Sequence, residues 1–275
     1  MSDQAGKAGR AGHFLELHRP GHPLVMPNPW DVGSARLMAA LGFEALATTS
    51  SGYAATLGRL DGGVTREEAL AHAAALCAAT DVPVSADLEN CFADDPEGVA
   101  ETARGAISAG LAGFSVEDYD PDSKSIYERG LAIERVRAAV EVAHGAPGGP
   151  LVVTARAEGY LREQEPDRDE IIGRLQAYQE TGADVLFAPG PVDPETITAI
   201  VSSLDRPVSV LARNGAPPVA ELGKLGVARI SVGGALAFAA VGGWVSAARE
   251  LREQGTYSYF EQMAQGAKAV RDAFG

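Results

Sequence analysis

Short apolar runs rich in β-branched residues recur down the chain, each followed by a segment rich in Ala, Leu, Glu and Arg with a helical look. The predicted strands are Leu24–Pro27, Ala45–Thr49, Val82–Asp87, Gly113–Glu117, Leu151–Arg156, Val185–Ala188, Val208–Leu211 and Arg229–Val232. The predicted helices lie near 33–41, 65–80, 96–109, 131–144, 168–181, 194–203, 217–225 and 235–253. The strand runs are near-continuously apolar, which points to burial on both faces, as in a parallel sheet. Helix boundaries carry their own signals. Thr65 with Glu68 has the capping-box spacing, and Asp95-Pro96 puts proline in a first turn. Gly42, Gly110, Gly182 and Gly226 each follow a helix, where a left-handed residue closes the last turn.

Eight strand–helix units in about 250 residues fit an α/β (β/α)₈ barrel better than a doubly wound sheet. The first strand runs into Pro27-Asn28-Pro29-Trp30-Asp31 rather than a glycine-rich dinucleotide turn. Residues 1–12 read as a loose polar tail, 13–256 as the barrel and 257–275 as a C-terminal helical extension. That extension spaces Phe260, Met263, Ala267 and Val270 helically, and its apolar stripe is expected to pack on another subunit. Ile230–Ala248 runs nineteen residues without a charge, the length of a membrane span. Gly233-Gly234 and Gly242-Gly243 interrupt it, so a buried strand followed by a buried helix is expected, in a soluble protein.

Composition adds limits. At 275 residues, with 46% hydrophobic and 22% charged, the chain can bury a substantial core. Lys plus Arg total 23 against 37 Asp plus Glu, a net charge of −14. That balance argues against nucleic acid and anionic membranes as partners, and hints at carboxylates gathered for a cation. Cys77 and Cys91 are too few for a disulfide framework or a zinc ribbon, so a reducing cytoplasm is expected. Cys77 reads as core packing; Cys91, beside the strand-three acids, reads as a packed loop residue, with a nucleophile or acid as the alternative. His72 and His144 lie in predicted helices, and His13, His18 and His22 precede the barrel, so no histidine-based mechanism is expected.

In a barrel the chemistry belongs at the C-terminal strand ends. There the sequence places Thr48-Thr49-Ser50-Ser51-Gly52-Tyr53 with a loop on to Asp61, then Asp87-Leu88-Glu89, Glu117-Asp118 and Arg156-Ala157-Glu158. One acid after a strand is ordinarily a helix cap or a solvated loop residue. Three acidic strand ends in succession point instead to a hard divalent cation held by oxygen ligands. Asp87 and Glu89, two apart on a strand, are expected to point the same way, with Glu117 beside them. Arg156 would clamp a substrate carboxylate in bidentate fashion, or else only balance the acidic rim. The Ser51-Gly52-Tyr53 turn would offer backbone N–H groups to an oxyanion.

The stretches "TTSSGYAATLGRLDGG", "SADLENCFADDPEGVAET", "GFSVEDYD", "TARAEGYL" and "DVLFAPG" resemble the successive motifs of the isocitrate lyase/phosphoenolpyruvate mutase superfamily, most of all its short mutase-like branch. The resemblance runs from about Phe14 to Phe260. It implies a barrel whose last helix is exchanged between subunits of a homotetramer or homodimer. It also implies Mg²⁺, or Mn²⁺ in its place, and a small 2-oxo or 2-hydroxy acid substrate. The family's metal-site acids map onto Asp61, Asp87, Glu89 and Glu117, with Asp87 the direct ligand. Its carboxylate-binding arginine maps onto Arg156, and its oxyanion turn onto Ser51, Gly52 and Tyr53.

The departures narrow the activity. The lyases carry a Lys-Cys-Gly-His loop after strand four, but this chain has "YDPDSKSIYERG". Enzymes of P–C bonds carry a Lys/Asn loop there and a His after strand six. Here Lys124 has no Asn companion, and strand six ends in Ala188-Pro189-Gly190. The family's Gly-Tyr-Gly after the strand-three acids is replaced by Asn90-Cys91-Phe92-Ala93. The expected activity is a Mg²⁺-dependent C–C lyase or decarboxylase working through an enolate, with Tyr53 or Glu158 as the candidate base for a malate-type substrate. The alternatives are P–C bond chemistry of the mutase or phosphonopyruvate hydrolase type, and a non-catalytic dicarboxylate-binding or scaffold protein.

Overall fold

A computed structural model describes the backbone of residues 2–275 and the side chains from Gly9 onward. The strands are β1 (Leu24–Met26), β2 (Leu46–Ala47), β3 (Val84–Asp87), β4 (Gly113–Glu117), β5 (Tyr119–Asp120), β6 (Ser125–Ile126), β7 (Val152–Arg156), β8 (Val185–Phe187), β9 (Val208–Leu211) and β10 (Arg229–Ser231). Eight of them form one parallel sheet in the order β1-β10-β9-β8-β7-β4-β3-β2, while β5 and β6 pair antiparallel as a small hairpin. All eight predicted strands are present. The hairpin is an addition to them, because two-residue strands leave no periodicity to read.

The helices are α1 (Ser2–Glu16), α2 (Val32–Ala40), α3 (Ser50–Thr56), α4 (Arg66–Ala79), α5 (Pro96–Ala109), α6 (Arg129–His144), α7 (Gly159–Arg162), α8 (Arg168–Glu180), α9 (Pro194–Ser202), α10 (Val219–Lys224), α11 (Ala235–Gln254) and α12 (Phe260–Phe274). Their boundaries follow local chemistry. Thr65 and Glu68 make the reciprocal capping box of α4, and Asp95 caps α5 with Pro96 in its first turn. Gly42, Gly110, Gly182 and Gly226 all adopt positive φ, between 82° and 97°.

The strands prove less uniformly apolar than their sequence suggested. Phe114 and Val116 of β4, with Val153 and Ala155 of β7, turn outward into the core under the helices. The interleaved residues Ser85, Ser115, Thr154 and Ser209 are buried hydroxyls facing the barrel interior. Small side chains at that level leave room for a cavity above them.

Two devices complete the barrel. The gap between β1 and β2 is bridged by Ala47 N–H donating to the Pro27 carbonyl at 3.0 Å. Asn28 then ties three strand ends, donating to the Thr48 carbonyl at 3.0 Å and accepting from Val232 N–H at 2.9 Å. At the opposite mouth α1 acts as a plug, its buried Phe14 packing with Leu24, Val152 and Val185. Most of the stretch read as a loose tail therefore belongs to a helix, and its Ala11 is buried; the apolar anchors that hold it lie at the helix's C-terminal end.

Beyond β10 the chain leaves the barrel. Of the 20 residues of α11 only Ala237 is buried, while Phe238 and Trp244 are 51% and 63% exposed. The expected buried helix is thus an exposed one. No described helix is long and apolar enough to cross a membrane. α12 has no buried residue, and its Phe274 ring lies 4.7 Å from the Arg36 guanidinium of α2.

Replacing Asn28 by Leu should destabilise the protein by roughly 2–4 kcal/mol, since a buried carbonyl and a backbone N–H both lose their partner. Denaturant unfolding checks this. An unchanged midpoint would show that the β1–β2 gap closes without the Asn28 clasp.

Candidate active site

A cavity of about 350 Å³ opens among the C-terminal strand ends, lined by Ser51, Asp61, Asp87, Arg156 and Arg162, with Arg229 also in its wall. Its centre is an ion-pair network. Arg156, the last residue of β7, donates from Nη1 to Asp87 Oδ1 at 3.0 Å. Its Nη2 lies 3.1 Å from Glu117 Oε2 and 2.8 Å from Glu158 Oε1, and Nε donates to the same Glu158 oxygen at 2.9 Å. The strand register brings Glu117 of β4 directly opposite Arg156. Asp87 also accepts from the Ser50 hydroxyl at 3.1 Å, and its N–H donates to Thr48 Oγ1 at 2.8 Å.

The acids outnumber the nearby cations. Asp61, Asp87, Glu89, Glu117 and Glu158 meet two guanidiniums, Arg156 and Arg162, the latter 3.4 Å from Glu158 Oε2 and stacked over Tyr119. Burial, then the charges of Asp87 and Asp61, pushes Glu89 up to about 7. Burial raises Glu117 well above the ordinary carboxylate range, with Arg156 pulling the other way. Burial lowers the proton affinity of Arg156, but Glu158, Glu117 and Asp87 outweigh it and the net shift is upward. An all-oxygen donor set with excess negative charge fits a hard divalent cation. Among the described residues no three His, Cys, Asp or Glu side chains converge as a ready-made cage. The set therefore fits an ion taking one direct carboxylate, with waters and substrate for the rest.

The other expected residues fall unevenly. Ser51 and Asp61 line the cavity, whereas Glu117 and Glu158 stand behind Arg156, with side chains 6% and 0% exposed. Glu89 does not share the direction of Asp87. The strand ends at Asp87, and Glu89 takes φ of 50°, which turns it into a neighbouring cleft with Asn90 and Asp94. The two-residue alternation applies only while the backbone stays extended. Ser51, Gly52 and Tyr53 form the start of α3 rather than an open turn. Gly52 N–H is directed at Thr49 Oγ1 and Tyr53 N–H at the Thr49 carbonyl. Gly52 is required by packing: a Cβ there would come 2.6 Å from Thr49 Cγ2 and 3.2 Å from Ala237 Cβ. The Tyr53 ring is stacked on His72 at 3.8 Å, outside the cavity lining.

The segment after β3 explains how the chain manages without the expected glycines. Glu89, Cys91 and Phe92 all have positive φ, costly for residues with a Cβ. Buried Arg135 of α6 holds the segment by donating to the carbonyls of Asn90 (2.6 Å), Ala93 and Asp94 (2.8 Å), with its guanidinium over the Tyr127 ring. Thr102 Oγ1 adds a bond to the Cys91 carbonyl at 2.6 Å. Cys91 is fully buried and its thiol is pushed up to about 12, so it is a packing residue, as expected. Sequence reasoning passes over Arg135 and names Asp118 only as a strand-end acid; Asp118 accepts from Glu158 N–H at 2.8 Å and from Tyr178 OH at 2.7 Å, fixing Glu158. It misses Arg229 too, although a charged residue opening an otherwise apolar strand is a legible signal.

With this geometry in view, the sequence pattern of the family described as phosphoenolpyruvate phosphomutase matches residues 14–252. The chain belongs to that family, within the isocitrate lyase/phosphoenolpyruvate mutase superfamily. A Burkholderia cenocepacia J2315 protein, assigned only provisionally as a lyase/mutase, superposes with a TM-score of 0.93 at 46% identity, over 98% of this chain and 97% of its own. An uncharacterised Mycobacterium tuberculosis protein is 35% identical over 80% of this chain and 81% of its own. A solved structure of a 2,3-dimethylmalate lyase superposes with a TM-score of 0.83 at 27% identity, over 96% of this chain and 94% of its own. The family's named enzymes are C–C lyases or mutases of small carboxylic acids.

The elevated proton affinity of Glu89 has a measurable consequence. Its contribution to stability is full below its ordinary value of 4.5 and is lost as pH rises through about 7. In metal-free protein, Glu89→Gln should therefore flatten the fall in stability between those values. Unfolding midpoints followed across that window check it, and equal slopes in both proteins would refute it.

Proposed function

We propose that this protein is a Mg²⁺-dependent C–C bond lyase or decarboxylase acting on a small 2-oxo or 2-hydroxy mono- or dicarboxylic acid through an enolate. The observation that carries the reading is the Asp87–Arg156 pair in the cavity, backed by buried Glu117 and Glu158, at the strand ends where barrel enzymes work. Asp87 would bind the ion directly and Asp61 through its waters, while Glu117, behind Arg156, and Glu89, in the neighbouring cleft, would act only through their charge; Mn²⁺ fits the same oxygen donors. The bound ion would supply Lewis acidity toward a developing enolate oxygen. Arg156, already surrounded by carboxylates, offers a planar fork for a substrate carboxylate in exchange for one of its present partners. Ser51, in the first turn of α3 at the cavity wall, would donate its N–H to an oxyanion.

Decarboxylation is the favoured version. Breaking the bond to a departing carboxylate leaves its electron pair on the enolate and needs no base to start. Lysis of a malate-type substrate needs a base at the 2-hydroxyl, and both candidates are poorly placed: Glu158 is tied to Arg156, and Tyr53 stands outside the cavity. Lys124, the one residue in common with the loop of P–C enzymes, occupies the hairpin turn away from the cavity lining. A non-catalytic binder would bind oxalate with Mg²⁺ and release no product.

The test is pyruvate release from oxaloacetate, malates, citramalates, methylisocitrate and phosphonopyruvate with Mg²⁺. Oxaloacetate should turn over, and Asp87→Ala should abolish both turnover and Mg²⁺ affinity. Arg156→Lys should weaken oxalate binding by about 30-fold or more, because a point charge cannot replace the fork. No turnover of any substrate, or wild-type Mg²⁺ affinity in Asp87→Ala, would overturn the proposal.

We also propose that α11 and α12 belong to an interface, with the last barrel helix exchanged between subunits of a homodimer or homotetramer. Phe238, Trp244, Phe260 and Met263 are all more than half exposed, an apolar surface that a monomer leaves in water. Two cysteines, with Cys91 buried, fit a cytoplasmic setting. Sedimentation at micromolar concentration should give an oligomer, and a compact monomer would refute the interface.

A further inference from the structure

Each guanidinium nitrogen of Arg156 lies against a carboxylate, but a second guanidinium in the same cavity touches none. Arg229 opens β10 and is 4% exposed. Its Nε donates to Ser209 Oγ at 2.9 Å and Nη1 to Thr154 Oγ1 at 3.0 Å, both neutral hydroxyls of the barrel interior. No described residue accepts from Nη2, and the side chain forms part of the cavity wall. The charged group nearest in effect is Arg156, which repels it. Below it, His18 is driven by burial, and then by Arg229, down to about 3, so it is neutral and supplies no counter-charge. Burial lowers Arg229 itself to about 9, which leaves it a cation at neutral pH.

A buried charge without a partner is costly, and proteins keep one where a ligand completes it. Position indicates which ligand. Thr154 precedes Arg156 by two residues on β7, so the Arg229 guanidinium lies one interior layer below the rim, roughly 6–7 Å along the strand. The Phe187 ring stands between the two cations, 5.2 Å from Arg156 Cζ and 5.9 Å from Arg229 Cζ. With one carboxylate accepting from Arg229 Nη2 at about 2.8 Å, the other end of a four-carbon dicarboxylate reaches up toward the rim.

We infer that Arg229 is a specificity-determining residue that binds the distal carboxylate of a dicarboxylic substrate at the floor of the cavity, with Ser209 and Thr154 holding its guanidinium in place. This deepens the proposed function and rests on it. It makes the barrel interior, beneath the metal-site rim, the part that separates dicarboxylic from monocarboxylic acids.

The experiment is calorimetric titration of oxalate, L-malate and 2-hydroxybutyrate at saturating Mg²⁺ into wild type, Arg229→Met and Arg229→Lys, with thermal unfolding of each. Wild type should bind L-malate at least about tenfold more tightly than 2-hydroxybutyrate. Arg229→Met should lose that preference, keep oxalate affinity within about threefold, and unfold no earlier than wild type, since an unpaired buried charge is removed. Arg229→Lys keeps the cation without the fork and should retain part of the preference, so it decides the matter should the Met variant not fold. An L-malate preference that survives either substitution in full, or is absent from wild type that binds oxalate, overturns the inference and leaves the proposed function standing. Wild type that binds neither oxalate nor L-malate overturns both.

Discussion

The contacts of Arg156 with Asp87, Glu117 and Glu158 are the constraint around which the catalytic end of this barrel is arranged. Three carboxylates from three successive strand ends lie within 3.1 Å of one guanidinium whose side chain is only 13% exposed. Burying those acids without the arginine would be prohibitive, and burying the arginine without them equally so. The neighbours follow from this. Asp118 fixes the backbone of Glu158, Ser50 and Thr48 orient Asp87, and Arg162 shields the outer oxygen of Glu158. Burial, and after it the charges of Asp87 and Asp61, makes Glu89 hold its proton more tightly than an ordinary carboxyl group, and burial does the same for Glu117 against the pull of Arg156.

A second tension lies beside the first. The segment Glu89–Phe92 holds three non-glycine residues in left-handed conformations, next to the candidate metal ligand. Such strain persists only where the surroundings over-determine it. Arg135, Thr102 and the Asn90 side chain supply that determination through bonds to the segment's own backbone. In place of the glycines that such a turn calls for, this chain uses a buried guanidinium to hold the wall close to Asp87.

The cavity floor belongs to the same electrostatic design. Hydroxyl-bearing residues replace aliphatic ones inside β3, β4, β7 and β9, so the interior is open and polar enough to hold a guanidinium with no acidic partner. The rim carries excess negative charge and the floor an unanswered positive one. A cation at the top and a carboxylate below together would neutralise both.

Periodicity and local backbone preference were enough to specify the barrel, its eight strands and helices, the helix caps and the glycine-terminated turns, because each is a short-range consequence of the linear pattern. The same pattern shows which strand ends carry acids, since position along a strand can be counted. The rest came from tertiary structure. That Arg156 faces three carboxylates depends on strand register, and that Glu89 departs from Asp87 depends on one backbone angle after β3. Tyr53 is drawn away from the cavity by a stacking contact with His72, 19 residues further along the chain. Arg229 stands out as a charge opening an apolar strand, but only the closure of β10 against β1 and β9 puts that charge inside the barrel. Long-range pairing brings such groups together, and no local pattern records which partner each will meet.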